Sequence, residues 1–157
     1  SNCEGAMLIR EISGKDAALA GEMIAALLQE LTGGEVFDPV PLAETAADLL
    51  RGEDVTGFAA FDGLEAEFPI GLVMLNQCAA VYAGGRFGEV TELYVLPECR
   101  SRGVAARLIG ACVELGRARG WQRLEVGAPD QPAWQRTLAF YQRQGFEETG
   151  PRLRLLL

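Results

Sequence analysis

The sequence predicts one α/β domain: a central mixed β-sheet of about six to seven strands, flanked by about four helices on both faces. Segments with strand periodicity alternate with amphipathic helical segments along the chain. In the second half a strand, a helix and a strand follow one another, which is typical of a parallel, right-handed crossover. With 157 residues, 49% of them hydrophobic, the chain can bury one core. We assign this domain to residues 7–157 and interpret residues 1–6 as a tag remnant or a disordered N-terminus.

The first half opens with a short apolar strand, 8–12. Ser13 and Asp16 then have the spacing of a capping box, which predicts a helix that runs to about Leu31. Prolines precede a second amphipathic helix, 42–50. These elements predict a strand followed by two helices.

Three strands are predicted next. Residues 55–61 and 69–76 are apolar and joined by a polar loop, which predicts an antiparallel hairpin. Residues 89–96 follow a glycine-rich connection, alternate, and then become apolar, as in a half-buried central strand. Pro97 ends this strand.

The second half continues with a long amphipathic helix, 103–119, which Gly120 ends. A strand at 121–126 and a helix from about 133 to 144 follow. Residues 146–157 have strand character and are predicted to close the sheet.

The chemistry of proton transfer is constrained by the absence of histidine. A general base must come from Asp, Glu, Tyr, Cys, the single Lys15 or water. The cysteines have no CxxC spacing, so neither a structural zinc site nor a Cys/His nucleophile is expected. We interpret them as reduced packing thiols: Cys3, Cys78, Cys99 and Cys112.

The net charge of −8 is unevenly distributed. Residues 1–68 hold 14 acidic and 3 basic residues, whereas residues 86–157 hold 11 arginines and 8 acidic residues. The acidic surface disfavours nucleic-acid binding, and the arginines suit a small polyanion such as a nucleotide cofactor. No apolar run reaches the roughly 18 residues of a membrane span, and no secretory signal is recognisable. We therefore expect a cytoplasmic protein without membrane or nucleic-acid partners.

The segment from Leu93 to Ala106 combines a strand, a sharp turn and the start of a helix. The first N–H groups of a helix lack internal acceptors and attract anions. Gly103 and the small Ala105 allow a phosphate group to approach the backbone. Arg100 and Arg102 add positive charge. From the residues alone, a surface turn that merely caps the helix is an equal alternative.

This segment resembles motif A of the GNAT superfamily of acyl-CoA-dependent N-acyltransferases, Arg/Gln-x-x-Gly-x-Gly/Ala. A second segment, 138–146, is similar to the late helix of that family, which ends in a tyrosine and a Gly-Phe pair. The resemblance covers nearly the whole chain. It implies a GNAT-like fold and binding of acetyl-CoA, without a metal, at Leu93, Tyr94, Val95, Arg100, Ser101, Arg102, Gly103, Val104, Ala105 and Ala106.

The resemblance also implies catalytic roles. Tyr141 matches the residue that protonates the coenzyme A thiolate, and Glu92 is the candidate base for the amine, directly or through water. Glu89 is the alternative base. A nucleophilic role for Cys99 is not expected, because the resemblance implies that the acetyl group passes directly from the thioester to the amine. Backbone groups of the central strand, left unpaired by a splay or bulge, are expected to contact the pantetheine and the thioester oxygen.

The implied activity is transfer of an acetyl group to a primary amine of a small molecule or an amino terminus, by a protein that could form a homodimer. The acidic first half favours cationic acceptors, with Glu35, Asp38, Glu44 and Asp48 as candidate contacts. Trp134 stands where many members carry an asparagine, and Thr137 replaces a small alanine. The tryptophan in place of the asparagine favours the rival hypothesis, a noncatalytic acyl-CoA sensor.

Overall fold

The structure is a computed structural model that describes residues 6–127 and 134–157. Within these ranges the elements follow the predicted order, with one turn of 3-10 helix before the first helix and one after the fourth strand. The elements are β1 Met7–Glu11, α1 Ala17–Leu31, α2 Pro39–Leu50, β2 Val55–Asp62, β3 Phe68–Ala80, β4 Gly85–Val95, α3 Val104–Arg119, β5 Leu124–Val126 and α4 Gln135–Arg143.

The strands form one mixed sheet in the order β1-β2-β3-β4-β5. Neighbours from β1 to β4 are antiparallel, and β5 lies parallel to β4. The predicted hairpin, the mixed sheet and the parallel crossover are therefore confirmed.

The number of strands differs from the prediction of six to seven, because the sheet of the described residues has five. The predicted closing strand, 146–157, is not formed in the structure. Gly150 has a φ of 118°, and Pro151 has no N–H to donate to a ladder. The leucines that gave this segment its strand character remain exposed: Leu153, Leu155, Leu156 and Leu157.

Side-chain caps define where the first two helices begin. Asp16 accepts a hydrogen bond from Ser13 N at 2.9 Å, so the predicted capping box is present, although it opens a 3-10 turn and α1 starts at Ala17. Asp38 accepts from Val40 N at 3.0 Å and starts α2 three residues before the predicted position. The prolines therefore lie inside the first turn, where their missing N–H groups cost nothing.

Helices cover both faces of the sheet. On β3, Leu72 and Met74 pack in the cluster that contains α1, whereas Val73 and Leu75 pack in the cluster that contains α3. Successive strand residues point to opposite faces, so one strand serves both cores. Tyr141 of α4 belongs to the cluster on the α3 face.

Trp121 fixes the crossover between α3 and β5. A Cβ added to Gly88 of β4 would lie 2.3 Å from the Trp121 ring, and one added to Gly116 of α3 would lie 2.9 Å from it. The indole Nε1 donates to Gln77 Oε1 at 2.8 Å. The two glycines therefore provide the space in which the indole is wedged between helix and sheet.

Two glycines of α3 are expected to respond oppositely to alanine. Gly116→Ala should lower the free energy of unfolding by about 1–3 kcal/mol, because the new methyl group overpacks against Trp121. Gly110→Ala should raise it by about 0.5–1 kcal/mol, because a Cβ at this position meets nothing within 4 Å and the helix loses a flexible residue. Urea denaturation of both variants tests the packing, and equal effects at the two positions would contradict it.

Candidate functional site

Strand β4 extends beyond its partner β5. The parallel pairing covers only Gly88–Val90 against Leu124–Val126, so within the described residues β4 continues alone on that side as far as Val95. Leu96 N donates to Ile70 O of β3 at 2.9 Å. Because antiparallel residues alternate in the direction of their backbone groups, Leu93 and Val95 turn theirs away from β3. A row of backbone donors and acceptors therefore lies along this edge of β4.

A β-bulge precedes this edge. Leu75 pairs with Val90 and Met74 with Glu92, so Thr91 is an extra residue on β4. The bulge resets the alternation of side chains: Val90 packs on the α3 face, while Glu92 lies opposite Met74, which packs on the α1 face. Bulges bend a strand and re-aim side chains, and they are common next to active sites.

The N-terminus of α3 opens beside the end of β4. Gly103 precedes the helix with a φ of 78°, which a side chain would strain, and no side chain caps this end. The first bond across this turn runs from Arg107 N to Gly103 O at 3.1 Å. The N–H groups of Val104, Ala105 and Ala106 therefore have no acceptor within the helix. A Cβ at Gly103 would meet nothing within 4 Å, so the space before the helix is open.

Arg100 bridges the strand and α1. Its Nε donates to Val95 O at 3.0 Å, and its Nη2 donates to Glu30 Oε1 at 2.6 Å. The guanidinium also lies 5.6 Å from the centre of the Tyr94 ring. Burial raises the pKa of Tyr94, and the Glu30 charge adds to that rise. These contacts tie the loop before α3 to the helix on the other side of Tyr94.

Arg102 points into the protein. Its Nη2 lies 3.2 Å from Asp62 Oδ1 of β2, and its side chain is only 4% exposed. Both arginines that the motif offers for phosphate charge are thus turned toward acidic residues of the first half. Ser101 is exposed between them. In this arrangement the attraction for an anion comes from the helix terminus and its N–H groups.

Glu92 and Tyr141 lie on opposite faces of β4. Glu92 shares a face with Tyr94, two residues along the strand, whereas Tyr141 packs in the cluster that contains Val95. Burial raises the pKa of the Glu92 carboxyl, although a hydrogen bond from the Thr91 hydroxyl opposes that rise. Burial also raises the pKa of Tyr141 to about 12. The edge of β4 therefore passes between a carboxyl group and a phenol.

Tyr141 is enclosed by aromatic rings. Phe140 and Phe146 lie with their ring centres 5.4 and 5.5 Å from that of Tyr141, which is 7% exposed. Its hydroxyl makes no hydrogen bond to any residue that the structure describes. The Gly-Phe pair of the late segment thus completes the packing around the tyrosine.

Glu89 and Cys99, the other candidate catalytic residues, are less accessible to a substrate. Glu89 pairs with Arg152, whose Nη1 lies 2.8 Å from Glu89 Oε1. Cys99 is buried. These contacts leave Glu92 as the stronger candidate base of the two carboxylates on β4.

A cleft of about 380 Å³ lies beside Tyr94, at the C-terminal end of α1. Gln29, Glu30 and Gly33 line it, whereas the acidic residues expected to contact an acceptor, from Glu35 to Asp48, do not. The sequence did not single out Glu30, because its partner Arg100 is 70 residues away. The only local signal is that Glu30 is the last acidic residue before the glycines that end α1.

Comparison with known proteins identifies the family. The chain matches the family model of the GNAT acetyltransferases over residues 22–146, and it therefore belongs to this family. The resemblance inferred from the two motifs is confirmed. Members of this family use acetyl-CoA. No curated protein sequence gives a significant match.

Solved structures have the same fold. A candidate acetyltransferase from Arthrobacter sp. FB24 is 28% identical, with a TM-score of 0.74 over 96% of this chain and 94% of that one. A ribosomal-protein-alanine N-acetyltransferase from Brucella melitensis biovar Abortus 2308 is 23% identical, with a TM-score of 0.72 over 96% and 99%. The aminoglycoside N-acetyltransferase AAC(6′)-Iy, in complex with CoA, is 21% identical, with a TM-score of 0.73 over 97% and 95%.

Two kinds of feature are absent from the residues that the structure describes. No helix in residues 6–127 and 134–157 has both the length and the apolar character needed to cross a bilayer. In the same part of the chain, no group of three or more His, Cys, Asp or Glu side chains could hold a metal ion.

The half-buried Glu92 should make stability depend on pH. Because its pKa is raised in the folded state, its contribution is fully present below the ordinary carboxyl pKa and is lost as the pH rises through the folded value. Glu92→Gln removes this loss, so the variant should gain stability relative to wild type as the pH increases. Urea denaturation of both proteins from acidic to neutral pH measures the difference. A difference that does not change with pH would contradict the burial of this carboxyl group.

Proposed function

We propose that the chain is an N-acetyltransferase that moves an acetyl group from acetyl-CoA to a primary amine, of a small molecule or an amino terminus, by direct attack. The observation that carries the proposal is the unpaired edge of β4 next to the uncapped N-terminus of α3. One surface thus offers strand-like hydrogen bonding for an amide-containing arm and a site for phosphate groups. When bound, acetyl-CoA supplies an activated thioester.

Backbone groups do most of the binding in this proposal. The backbone groups of Leu93 and Val95 hydrogen-bond to the pantetheine arm as a further strand would. The Tyr94 side chain packs on the α1 face of β4. The phosphate groups lie at the N–H groups of the loop and the first turn of α3: Ser101, Gly103, Val104, Ala105 and Ala106. Arg100 and Arg102 shape the loop through Glu30, Val95 and Asp62.

Glu92 accepts the proton of the amine, directly or through water. A carboxyl group whose pKa is raised by burial is a better base than an exposed one. As the amine nitrogen bonds to the acetyl carbon, the carbon–sulfur bond breaks and the sulfur receives a proton from Tyr141. Burial raises the pKa of Tyr141 to about 12, so the phenol is protonated at neutral pH and has a proton to give.

The cleft beside Tyr94 is the proposed acceptor site. Glu30 lies at its wall, and the first half of the chain carries a large excess of acidic residues. Both features favour an amine that arrives protonated. Polyamines, aminoglycosides and amino-acid amines share this chemistry.

A noncatalytic acyl-CoA sensor is the second candidate. Trp134 at the start of α4, in place of an asparagine, favours it. Thiol release from acetyl-CoA across a panel of amines distinguishes the two functions. An enzyme accelerates release with some amine, whereas a sensor binds CoA and releases no thiol above the background.

Replacing Gly103 should weaken binding of coenzyme A. Gly103→Val forces a β-branched residue into a positive φ and places a side chain in the open space before α3. We expect the turn to relax out of the conformation that binds phosphate, and the dissociation constant to rise about 5-fold to 150-fold, since restoring the strained backbone costs about 1–3 kcal/mol. Calorimetry measures it, and Gly103→Ala separates strain from crowding. An unchanged constant in a folded variant would mean that this turn does not bind the phosphates.

Tyr141→Phe should lower turnover and leave coenzyme A affinity nearly unchanged. The ring packing is retained and only the hydroxyl is lost, so the expected loss is that of a general acid, about 10²-fold to 10⁴-fold. Single-turnover measurements separate this step from product release. Tyr82→Phe is the matched control, because Tyr82 is exposed in the turn between β3 and β4. Full activity of Tyr141→Phe would assign the proton to another group.

A further inference from the structure

Thr91, the extra residue of the β-bulge, contacts the proposed base. Its hydroxyl donates to the carboxylate of Glu92, the next residue along the strand. In a regular strand neighbouring side chains point to opposite faces, so such a pair does not normally meet. At this point the register between β3 and β4 shifts, because β4 has one residue more than its partner. The bulge therefore brings the Thr91 hydroxyl to the side of the strand on which Glu92 lies.

A second acceptor lies within reach of the same hydroxyl. The Thr91 Oγ1 atom lies 3.3 Å from the backbone oxygen of Met74, the β3 residue opposite Glu92. A hydroxyl group has one proton to donate and two lone pairs that accept. Thr91 therefore gives its proton either to the Glu92 carboxylate or to Met74 O, and the choice depends on whether Glu92 carries a proton.

Each protonation state of Glu92 has a complete hydrogen-bond arrangement. When the carboxyl group is ionised, it accepts from the Thr91 hydroxyl. When it is protonated, its own O–H donates to Thr91 Oγ1, and the Thr91 hydroxyl turns to Met74 O. A general base passes through both states in every turnover. Rotation of one hydroxyl group is enough to convert one arrangement into the other.

The surroundings of the Glu92 carboxyl group are otherwise apolar or act elsewhere. The described buried residues that α1, α2, β2 and β3 contribute to this face are apolar. Tyr94 lies two residues further along on the same face, and its pKa is raised by burial and by Glu30 and lowered by Arg100. The pKa of Glu92 responds to burial, which raises it, and to the Thr91 bond, which lowers it. Thr91 is thus the side chain whose bonding changes with the charge of Glu92.

We propose that Thr91 is a positioning residue for Glu92, and that its hydroxyl group holds the carboxyl group in place in both protonation states. This inference rests on the role of Glu92 as the base of the proposed acetyl transfer. Thr91 acts on the amine only through Glu92. Loss of the hydroxyl should favour the protonated state, because a hydrogen bond to an ionised carboxylate is stronger than one to a neutral carboxyl group.

Titration of the Glu92 carboxyl group by NMR, in the cofactor-free, ¹³C-labelled protein, tests the proposal without any turnover. The Glu92→Gln variant identifies the resonance. Thr91→Val keeps the branched shape and lacks the hydroxyl, so the pKa of Glu92 should rise above that of wild type. Thr91→Ser restores the hydroxyl and should restore the wild-type value. Thr45→Val is the matched control, since Thr45 is exposed on α2 and bonds to Pro41 O there.

Turnover gives a second readout. In Thr91→Val the acid limb of the pH profile of kcat should move to higher pH, with kcat on that limb lowered about threefold to tenfold, and Thr91→Ser should restore the profile. A Glu92 pKa that does not rise in Thr91→Val, or a rise that Thr91→Ser shares, would overturn the proposal. A pKa that rises as expected while the profile stays fixed would support the bond from Thr91 and contradict the role of Glu92 as base, so the two failures are distinguishable.

Discussion

The structure depends on the point at which β4 stops pairing with β5. β5 pairs with β4 only as far as Val90, yet β4 runs on to Val95 within the core. Backbone N–H and C=O groups away from water need partners, so an edge of this kind must be covered by protein, solvent or a ligand. The proposed cofactor site follows from that requirement, since the uncapped start of α3 lies directly beyond the same edge.

Several contacts hold this edge in position. The bulge at Thr91 turns Glu92 to the α1 face, and Arg100 ties the end of the strand to α1 by bonding to Val95 O and Glu30. Trp121, set between Gly88 and Gly116, fixes the crossover where the pairing with β5 is still intact. The same indole orients Gln77 at the far end of the sheet.

Local patterns in the sequence predicted most of the fold. The capping box at Ser13, the hairpin and the glycines that end α1 and α3 are signals of adjacent residues, and the structure confirms them. The last strand was predicted from the strand character of residues 146–157, but a strand needs a partner, and Gly150-Pro151 interrupts this one. The pairing of Arg100 with Glu30 and of Arg102 with Asp62 joins distant segments. No pattern of neighbouring residues reveals such pairs.

Hydrogen exchange at the amides of β4, with and without saturating coenzyme A, tests most directly whether the edge of β4 is the cofactor site. Leu93 and Val95 should exchange rapidly in the free protein and slowly in the complex, together with the first N–H groups of α3. Leu96, already bonded to Ile70 O, should be protected in both states. If coenzyme A leaves exchange at Leu93 and Val95 unchanged, or if both are already protected without it, the edge of β4 is not the cofactor site.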